Sequence, residues 1–204
     1  MMRRILGGVL VASGVWAGGL SAQLSWDGPP LIGPASPQGL GVFVVRPDPD
    51  GKIGGLLTWR DDTASFGLGY RLGFGEDATD HAAGYAGVDI SGALANGVED
   101  AAVKVLWWSG LGGSLGTDLT ASVPVGVVVG WTGPGESAVF APYAGGHAVL
   151  DLSTRRNNNA NIRGAIDLGF DLRFAPGWVA SVGTSFGGRD ALAVGASLPI
   201  GAVR

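Results

Sequence analysis

The chain has 204 residues, with 13 basic and 17 acidic side chains, a formal net charge of −4, 38 glycines and no cysteine. Charged residues make up only 15% of the sequence, against about 25% in an ordinary soluble domain, and the mean hydropathy is +0.30. This balance argues against nucleic acid as a partner. The lack of cysteine excludes disulfide bonds and a lipidated cysteine.

Residues 1–22 predict a secretory signal peptide. Arg3 and Arg4 form a basic start, an apolar stretch follows, and Leu20-Ser21-Ala22 precedes the predicted cleavage site. An N-terminal anchor helix is the alternative, but glycines interrupt the short apolar stretch. Cleavage after residue 22 removes two of the 13 basic side chains and leaves 11 against 17 acidic ones. A signal peptide without cysteines suits a bacterial envelope protein.

Residues 23–38 are rich in proline and glycine and contain Trp26 as their one large aromatic side chain. Such a composition predicts an extended lead-in and not a strand.

From Gly39 onward, apolar and polar residues alternate in about ten segments separated by turn signals, as they do in β-strands. The clearest segment is NIRGAIDLGFDLRF, in which Ile166 and Leu168 fall on one face and Asp167 and Asp171 on the other. The predicted strands are Gly39–Arg46, Lys52–Arg60, Thr63–Gly75, His81–Ala95, Ala101–Ser109, Leu119–Thr132, Ala138–Leu152, Asn161–Phe174, Trp178–Gly187 and Ala191–Ile200.

Three local features qualify this pattern. Asp61-Asp62 predicts a tight turn, and the glycine-rich stretch Gly110–Asp118 predicts a loop. Pro124 lies inside a strand, where it removes a hydrogen bond of the ladder, so we expect a β-bulge there.

Alternation alone fits a secreted β-sandwich as well as a membrane barrel. Here the polar face consists mostly of Gly, Ser, Ala and Thr, whereas a solvent-exposed sheet carries many Lys and Glu. After residue 22 no apolar run approaches the roughly 18 residues of a membrane-spanning helix. We therefore predict a closed antiparallel up-and-down transmembrane β-barrel over residues 39–204, with about ten strands, or alternatively eight. The lead-in 23–38 then lies in the periplasm or folds into the barrel mouth.

Large aromatic residues of the apolar face cluster near alternate turns. If both ends of the barrel lie in the periplasm, ten strands make the turns at Asp61, Asn96, Pro134 and Pro176 periplasmic. The residues beside them predict an aromatic girdle at the membrane interface: Trp59, Phe66, Trp131, Phe140, Phe174 and Trp178. A thinner ring at the opposite edge would contain Phe74, Trp107 and Phe186.

With its signal peptide, even number of antiparallel strands, short periplasmic turns and aromatic belts, the chain resembles the class of small bacterial outer-membrane β-barrel proteins over about residues 39–204. The resemblance implies the bacterial outer membrane as location, and outer-membrane lipid and the barrel assembly machinery as partners. Such proteins commonly end on an aromatic residue, whereas this chain ends in LPIGAVR. No motif indicates a subfamily.

Charged residues of the polar face predict an ion-pair network in the lumen, because opposite charges in a low-dielectric interior must pair or be solvated. Its predicted members are Arg71, Asp89, Lys104, Asp151, Arg163, Asp167, Asp171 and Arg173. The network either braces the barrel wall or forms a selectivity ring along a water path.

No catalytic residue, cofactor or metal site is predicted, and we do not expect an enzyme. A hydrolase is a remote alternative. His147 and Asp151 share a face but lie about 13 Å apart along a strand, and neither His81 nor His147 is followed by the serine that lipid hydrolases of such barrels use. The acidic residues Asp48, Asp50 and Asp77 to Asp80 lack metal-binding spacing.

The sequence therefore predicts a structural or interaction barrel whose lumen is largely filled by small and charged side chains. The alternative is a porin-like channel, for which small solutes would be the transported partners.

Overall fold

The computed structural model describes residues 25–33, 38–46, 52–63, 66–76, 81–94, 103–116, 118–135, 138–154, 160–175 and 177–199. The signal peptide predicted at residues 1–22 lies outside these ranges. So do Asp48, Asp50, Asp77 to Asp80, and most of the polar stretch between the seventh and eighth strands. None of the described residues belongs to a helix that is long and apolar enough to cross a membrane.

The chain forms ten antiparallel strands, each paired with its sequence neighbours, and the first strand pairs with the last to close a barrel. This confirms the predicted up-and-down barrel with ten strands, not eight. The strands are β1 Gly39–Arg46, β2 Gly54–Thr63, β3 Phe66–Glu76, β4 Ala82–Ala93, β5 Val103–Leu115, β6 Leu119–Trp131, β7 Ala138–Ser153, β8 Ala160–Phe174, β9 Val179–Gly187 and β10 Ala191–Leu198.

The alternation in the sequence becomes two faces of one closed sheet. Residues of β6 alternate strictly between exposed and buried from Leu119 to Trp131. Four valines face outward, and Thr120, Ser122, Gly126 and Val128 face inward. In β8, Ile166 and Leu168 lie on the outer surface, while Asp167 is buried in the lumen. The outer surface is therefore apolar and the lumen carries the polar groups.

We call the end of the barrel where β1 begins and β10 ends the lower end, and the opposite end the upper end. Strands β2 and β3, β4 and β5, β6 and β7, and β8 and β9 are joined at the lower end. The other hairpins are joined at the upper end. Both termini of the barrel therefore lie at the lower end, as the turn count in the sequence required.

The glycine-rich loop predicted at Gly110–Asp118 is wrong, because β5 continues to Leu115. The glycines Gly110 and Gly112 belong to the barrel wall, where they face the ring of Trp26. This extension moves Trp107 to the lower half of the barrel, where its ring lies 6.3 Å from that of Phe66. Trp107 is therefore not part of an aromatic ring at the upper edge.

Two further local predictions are corrected by the strand pairing. Asp61 and Asp62 belong to β2, which pairs with β3 as far as Thr63 opposite Phe66. Pro124 makes no bulge, since the register between β5 and β6 is the same on both sides of it. Proline has no N–H to donate, so the ladder lacks one hydrogen bond here but contains no extra residue. The Pro124 carbonyl accepts a hydrogen bond from the Ser109 hydroxyl at 2.9 Å.

Residues 25–33 of the lead-in lie inside the barrel, and we call this segment the plug. Trp26, Asp27, Pro29, Pro30 and Ile32 are all almost completely buried. The alternative that the lead-in folds into the barrel is therefore the one observed for these residues.

Two apolar clusters form the core, and the plug supplies a residue to each. Trp26 belongs to the first and Ile32 to the second. The wall residues of the first cluster are Phe43, Val45, Leu56, Ala83, Tyr85 and Ala193, and those of the second are Trp108, Val128 and Tyr143. The lumen is thus packed with bulky side chains as well as small ones.

Trp26 fits because the part of the wall beneath its ring consists of glycines. A Cβ atom added to Gly112 would lie 2.6 Å from the indole ring of Trp26, and one added to Gly110 would lie equally close. At Gly87 the three atoms nearest to an added Cβ all belong to that ring. Glycines on adjacent strands β4 and β5 therefore form a flat bed for Trp26, which explains their presence inside strands.

We predict that Gly87→Ala lowers the free energy of unfolding by about 1–3 kcal/mol, because the new methyl group overpacks the Trp26 ring. In a Trp26→Ala background, which itself costs about 3–5 kcal/mol, the same change should have little effect. The cost of Gly87→Ala in each background is measured by urea unfolding of protein refolded in lipid. Heat-dependent gel migration reports the folded fraction at each urea concentration.

Gly84→Ala is the matched control on β4, since a Cβ there meets only one atom, the Gly73 carbonyl oxygen at 3.8 Å. Additive effects of Gly87→Ala and Trp26→Ala would show that the two positions do not contact each other.

Candidate functional site

Asp27 is the charged side chain of the plug and is buried in the lumen. Its Oδ2 atom lies 3.5 Å from Nε2 of His147 and 3.4 Å from Nε of Arg189, and all three side chains are almost completely buried. Burial opposes ionisation of Asp27, but the Arg189 guanidinium and the His147 ring outweigh it and hold the pKa of the carboxyl below its ordinary value. The plug is therefore anchored as an anion between two basic side chains of the barrel.

His147 is held on its other side by Asp167. Nδ1 of the ring and Oδ2 of Asp167 are 2.6 Å apart, and the second carboxylate oxygen of Asp167 accepts a hydrogen bond from the Ser185 hydroxyl at 2.5 Å. The imidazole thus lies between two carboxylates, one from the wall and one from the plug.

Arg189 links this cluster to a second carboxylate near the upper end. Nη2 of Arg189 pairs with Oδ1 of Asp151, which also accepts a hydrogen bond from the Ser122 hydroxyl at 2.7 Å. Arg163 approaches the same carboxylate, with Nε 3.7 Å from Oδ2. Asp151 is therefore shared by two arginines, one from the β9–β10 hairpin and one from β8.

A separate cluster surrounds Asp89 on the opposite side of the barrel. Its carboxylate pairs with Arg60 through one oxygen and with Nε of Arg71 at 3.2 Å through the other. Arg60 also donates to the Ser91 hydroxyl at 2.9 Å, and Nη1 of Arg71 donates to the backbone carbonyl of Pro29 at 3.0 Å. Arg71 therefore connects the wall to the plug backbone.

Three aspartates in the lumen are each directly opposite a serine on the neighbouring strand. Ser122 is paired in register with Asp151, Ser185 with Asp167, and Ser181 with Asp171. In each pair the hydroxyl donates to the carboxylate, at 2.7 Å for Ser181 and Asp171. The strand register, set by the whole sheet, thus gives these carboxylates a donor from the wall itself.

The lumen network predicted from the sequence is distributed as follows. The structure buries Arg71, Asp89, Asp151, Asp167 and Asp171 in the lumen. Arg163 is half-buried beside Asp151, whereas Lys104 and Arg173 lie exposed near the lower ends of their strands. Arg71 joins the cluster around Asp89, Asp151 and Asp167 each centre a cluster of their own, and Asp171 is bound by Ser181.

Sequence reasoning missed Asp27, Arg60 and Arg189 as members of these clusters. In β2, Arg60 lies on the same face as buried Leu56 and on the opposite face from Trp59. The alternation in the sequence was therefore sufficient to place Arg60 in the lumen. Asp27 and Arg189 lie outside the strands, in the plug and in a hairpin turn, where parity gives no information.

The six predicted girdle residues lie at the lower end of the barrel. Trp59, Phe66, Trp131 and Phe140 are exposed on the outer surface, and Phe174 stacks on Trp178 with ring centroids 3.9 Å apart. Each residue is close to a connection at that end.

The arrangement around His147 is that of an ion-pair cluster. In a Ser-His-Asp relay the serine hydroxyl bonds the ring nitrogen that faces away from the aspartate. Here Ser185 donates to Asp167, and the far ring nitrogen of His147 faces Asp27. His81 is exposed and lies just before β4. Among the described residues, no group of His, Asp and Glu side chains could hold a metal ion.

A cavity of about 30 Å³ lies between the plug and the wall near Arg60, Arg71, Asp89, Ser181 and Ser197. This is enough for one or two water molecules and too little for an organic solute.

No protein-family model matches the chain, and no curated protein or solved structure is detectably similar to it. The fold and the lumen define the class: a closed ten-stranded β-barrel whose interior is filled by an N-terminal segment and by ion pairs.

We predict that Asp167→Leu lowers the free energy of unfolding by about 3–5 kcal/mol, because it leaves a buried histidine and a buried hydroxyl without their partner. Asp167→Asn keeps the shape, and it should cost clearly less because its amide oxygen can accept from one of the two partners while its amide nitrogen donates to the other. Urea midpoints of the refolded variants provide the comparison, and equal costs would show that hydrogen bonds from a neutral amide at this position do not stabilise the barrel.

Proposed function

We propose that this protein is a bacterial outer-membrane β-barrel with a structural or interaction role, and that its lumen is closed in the resting state. The fold supports the coarser part of this statement, because a closed barrel leaves no strand edge unpaired and is one of two architectures that can cross a membrane.

The observation that carries the proposal is the apolar outer surface. Large hydrophobic side chains are exposed all around the barrel, including Leu72 at 60%, Val125 at 59% and Ile166 at 61%. Monomeric soluble proteins rarely expose more than a few hundred Å² of contiguous apolar surface. Charged side chains are meanwhile buried within the lumen, which reverses the order of a water-soluble fold and matches a barrel surrounded by lipid.

Strand length and aromatic placement support the same proposal. The strands contain between 8 and 16 residues, and about 9–11 tilted residues cross a bilayer. The girdle of Trp59, Phe66, Trp131, Phe140, Phe174 and Trp178 marks the lower end. Aromatic rings favour the membrane interface, so this end would lie at an edge of the outer membrane. Because both ends of the barrel lie there as well, we propose that it is the periplasmic edge.

The filled lumen favours a structural or interaction role over an open pore. The plug is buried inside the barrel, and the cavity between it and the wall near Arg71 and Asp89 has a volume of about 30 Å³. We propose no enzymatic activity, since His147 contacts carboxylates through both ring nitrogens. The proposed partners are outer-membrane lipid and, during insertion, the barrel assembly machinery.

Expression of the full chain in a Gram-negative bacterium tests the location. The protein should be found in the outer-membrane fraction, and unheated samples should migrate faster on a denaturing gel than boiled ones, because an intact barrel binds less detergent. Recovery in the soluble periplasmic fraction would contradict the proposal.

We predict that Val127→Arg lowers the free energy of unfolding in lipid vesicles by about 2–4 kcal/mol, because Val127 lies on the outer face in the middle of β6. The control is Ile53→Arg, whose side chain is exposed just before β2 at the upper end and should cost less than about 1 kcal/mol. A water-soluble barrel would tolerate both substitutions equally.

A further inference from the structure

The wall of the barrel does not need the plug to compensate its charges. Asp89 is paired with Arg60 and Arg71, and Asp151 with Arg189. Asp167 is bound by His147 and Ser185, and Asp171 by Ser181. All these partners belong to the strands or to the β9–β10 hairpin. Removal of the plug would therefore leave every one of these carboxylates with a donor.

The plug, by contrast, depends on the wall. Asp27 has its two basic neighbours only inside the lumen, and the Pro29 carbonyl accepts a hydrogen bond from Arg71. Trp26 lies on its bed of wall glycines, and Ile32 packs in the second apolar cluster. The plug thus depends on the wall for its polar contacts, whereas the plug can leave without depriving any of these wall carboxylates of its donor.

We infer that residues 25–33 are a displaceable gate, and that the barrel conducts small polar solutes when the gate leaves the lumen. This inference rests on the proposed membrane location. It adds a transport activity to a barrel that is closed at rest.

The composition of the exposed lumen would determine the class of solute. The wall side chains paired above include four arginines and four aspartates: Arg60, Arg71, Arg163, Arg189, Asp89, Asp151, Asp167 and Asp171. Because these arginines and aspartates are equal in number, the open lumen would have no strong preference for either sign of ion. Neutral and zwitterionic solutes, such as small sugars and amino acids, fit this lining best.

Space for such solutes would come from the glycines that now accommodate the plug. Gly87, Gly110 and Gly112 contribute no side chain to the lumen beside Trp26, and Gly183 contributes none beside Leu31. When the plug leaves, this part of the wall would retain only backbone. The opening would be widest where the plug is now bulkiest.

A reversible lock on the plug provides the test, since the chain has no cysteine of its own. A Cβ atom built on Gly28 lies 3.5 Å from Cβ of Ala191 in β10, a spacing that a disulfide bond accepts. The double variant Gly28→Cys/Ala191→Cys should therefore attach the plug to the wall when oxidised and free it when reduced.

The lock is placed in a background with a weakened plug, Trp26→Ala/Asp27→Asn, and single-channel currents are recorded in planar bilayers in KCl. Reduced protein should conduct, with a reversal potential near zero in a salt gradient, and oxidation should lower the open probability at least tenfold. A variant lacking residues 25–33 should conduct regardless of oxidation. In a liposome swelling assay, it should admit arabinose and glycine.

Each single cysteine variant in the same background controls for oxidation itself. Asp61→Asn, at an exposed aspartate at the lower end of β2, controls for the loss of one negative charge and should conduct no more than the wild type. Heat-dependent gel migration verifies that every variant forms a barrel.

The inference is overturned if folded variants with a weakened plug and without a plug conduct no more than the wild type, or if oxidation of the lock leaves the current unchanged. The proposed location would stand in either case. Failure of the proposed outer-membrane location would give a different result, because the protein would then be found in the soluble fraction and would not enter bilayers.

Discussion

An ionised side chain in a narrow, mostly dry interior must have a partner within hydrogen-bonding distance, and the lumen of this barrel is built around that requirement. Ser122, Ser181 and Ser185 each stand directly opposite the aspartate to which they donate. A shift of β7 or β8 by a single residue would turn the aspartates of that strand toward the outer surface and separate them from their serines. The polar interior thus helps to fix the register of the sheet that creates it.

Packing imposes the second requirement, since protein interiors are as dense as organic crystals. A ten-stranded barrel is wider than its own inward side chains fill, and the chain completes the core with nine residues that precede the first strand. Trp26 and Ile32 enter separate apolar clusters, while Asp27 reaches the ion pairs between them. The plug therefore combines apolar packing with electrostatic anchoring in one short segment.

The architecture could be predicted from the sequence because a period of two, repeated between turn signals, is a strong and local signal. Parity alone assigned Asp89, Asp167 and Asp171 to the inner face, where the structure buries them. The pattern failed where a position is determined by something distant in sequence. The glycines of β5 predict a loop when only their own segment is considered, because the ring of Trp26, which explains their presence in a strand, lies about eighty residues earlier. Likewise, no local signal marks Asp27 or Arg189, whose contacts exist only after the barrel has closed.

The closure of the barrel joins residues that are far apart in sequence. Leu40 pairs with Leu198 and Arg46 with Leu192, so contacts between the first and last strands span some 150 residues. Pairings of such separation carry a large loop-closure entropy and form late in folding. Because the plug directly precedes β1, the strand that forms this seam is also the tether of the segment that fills the interior. Insertion of the plug into the lumen and pairing of β1 with β10 are thereby linked through β1. Assembly can complete both in one final step.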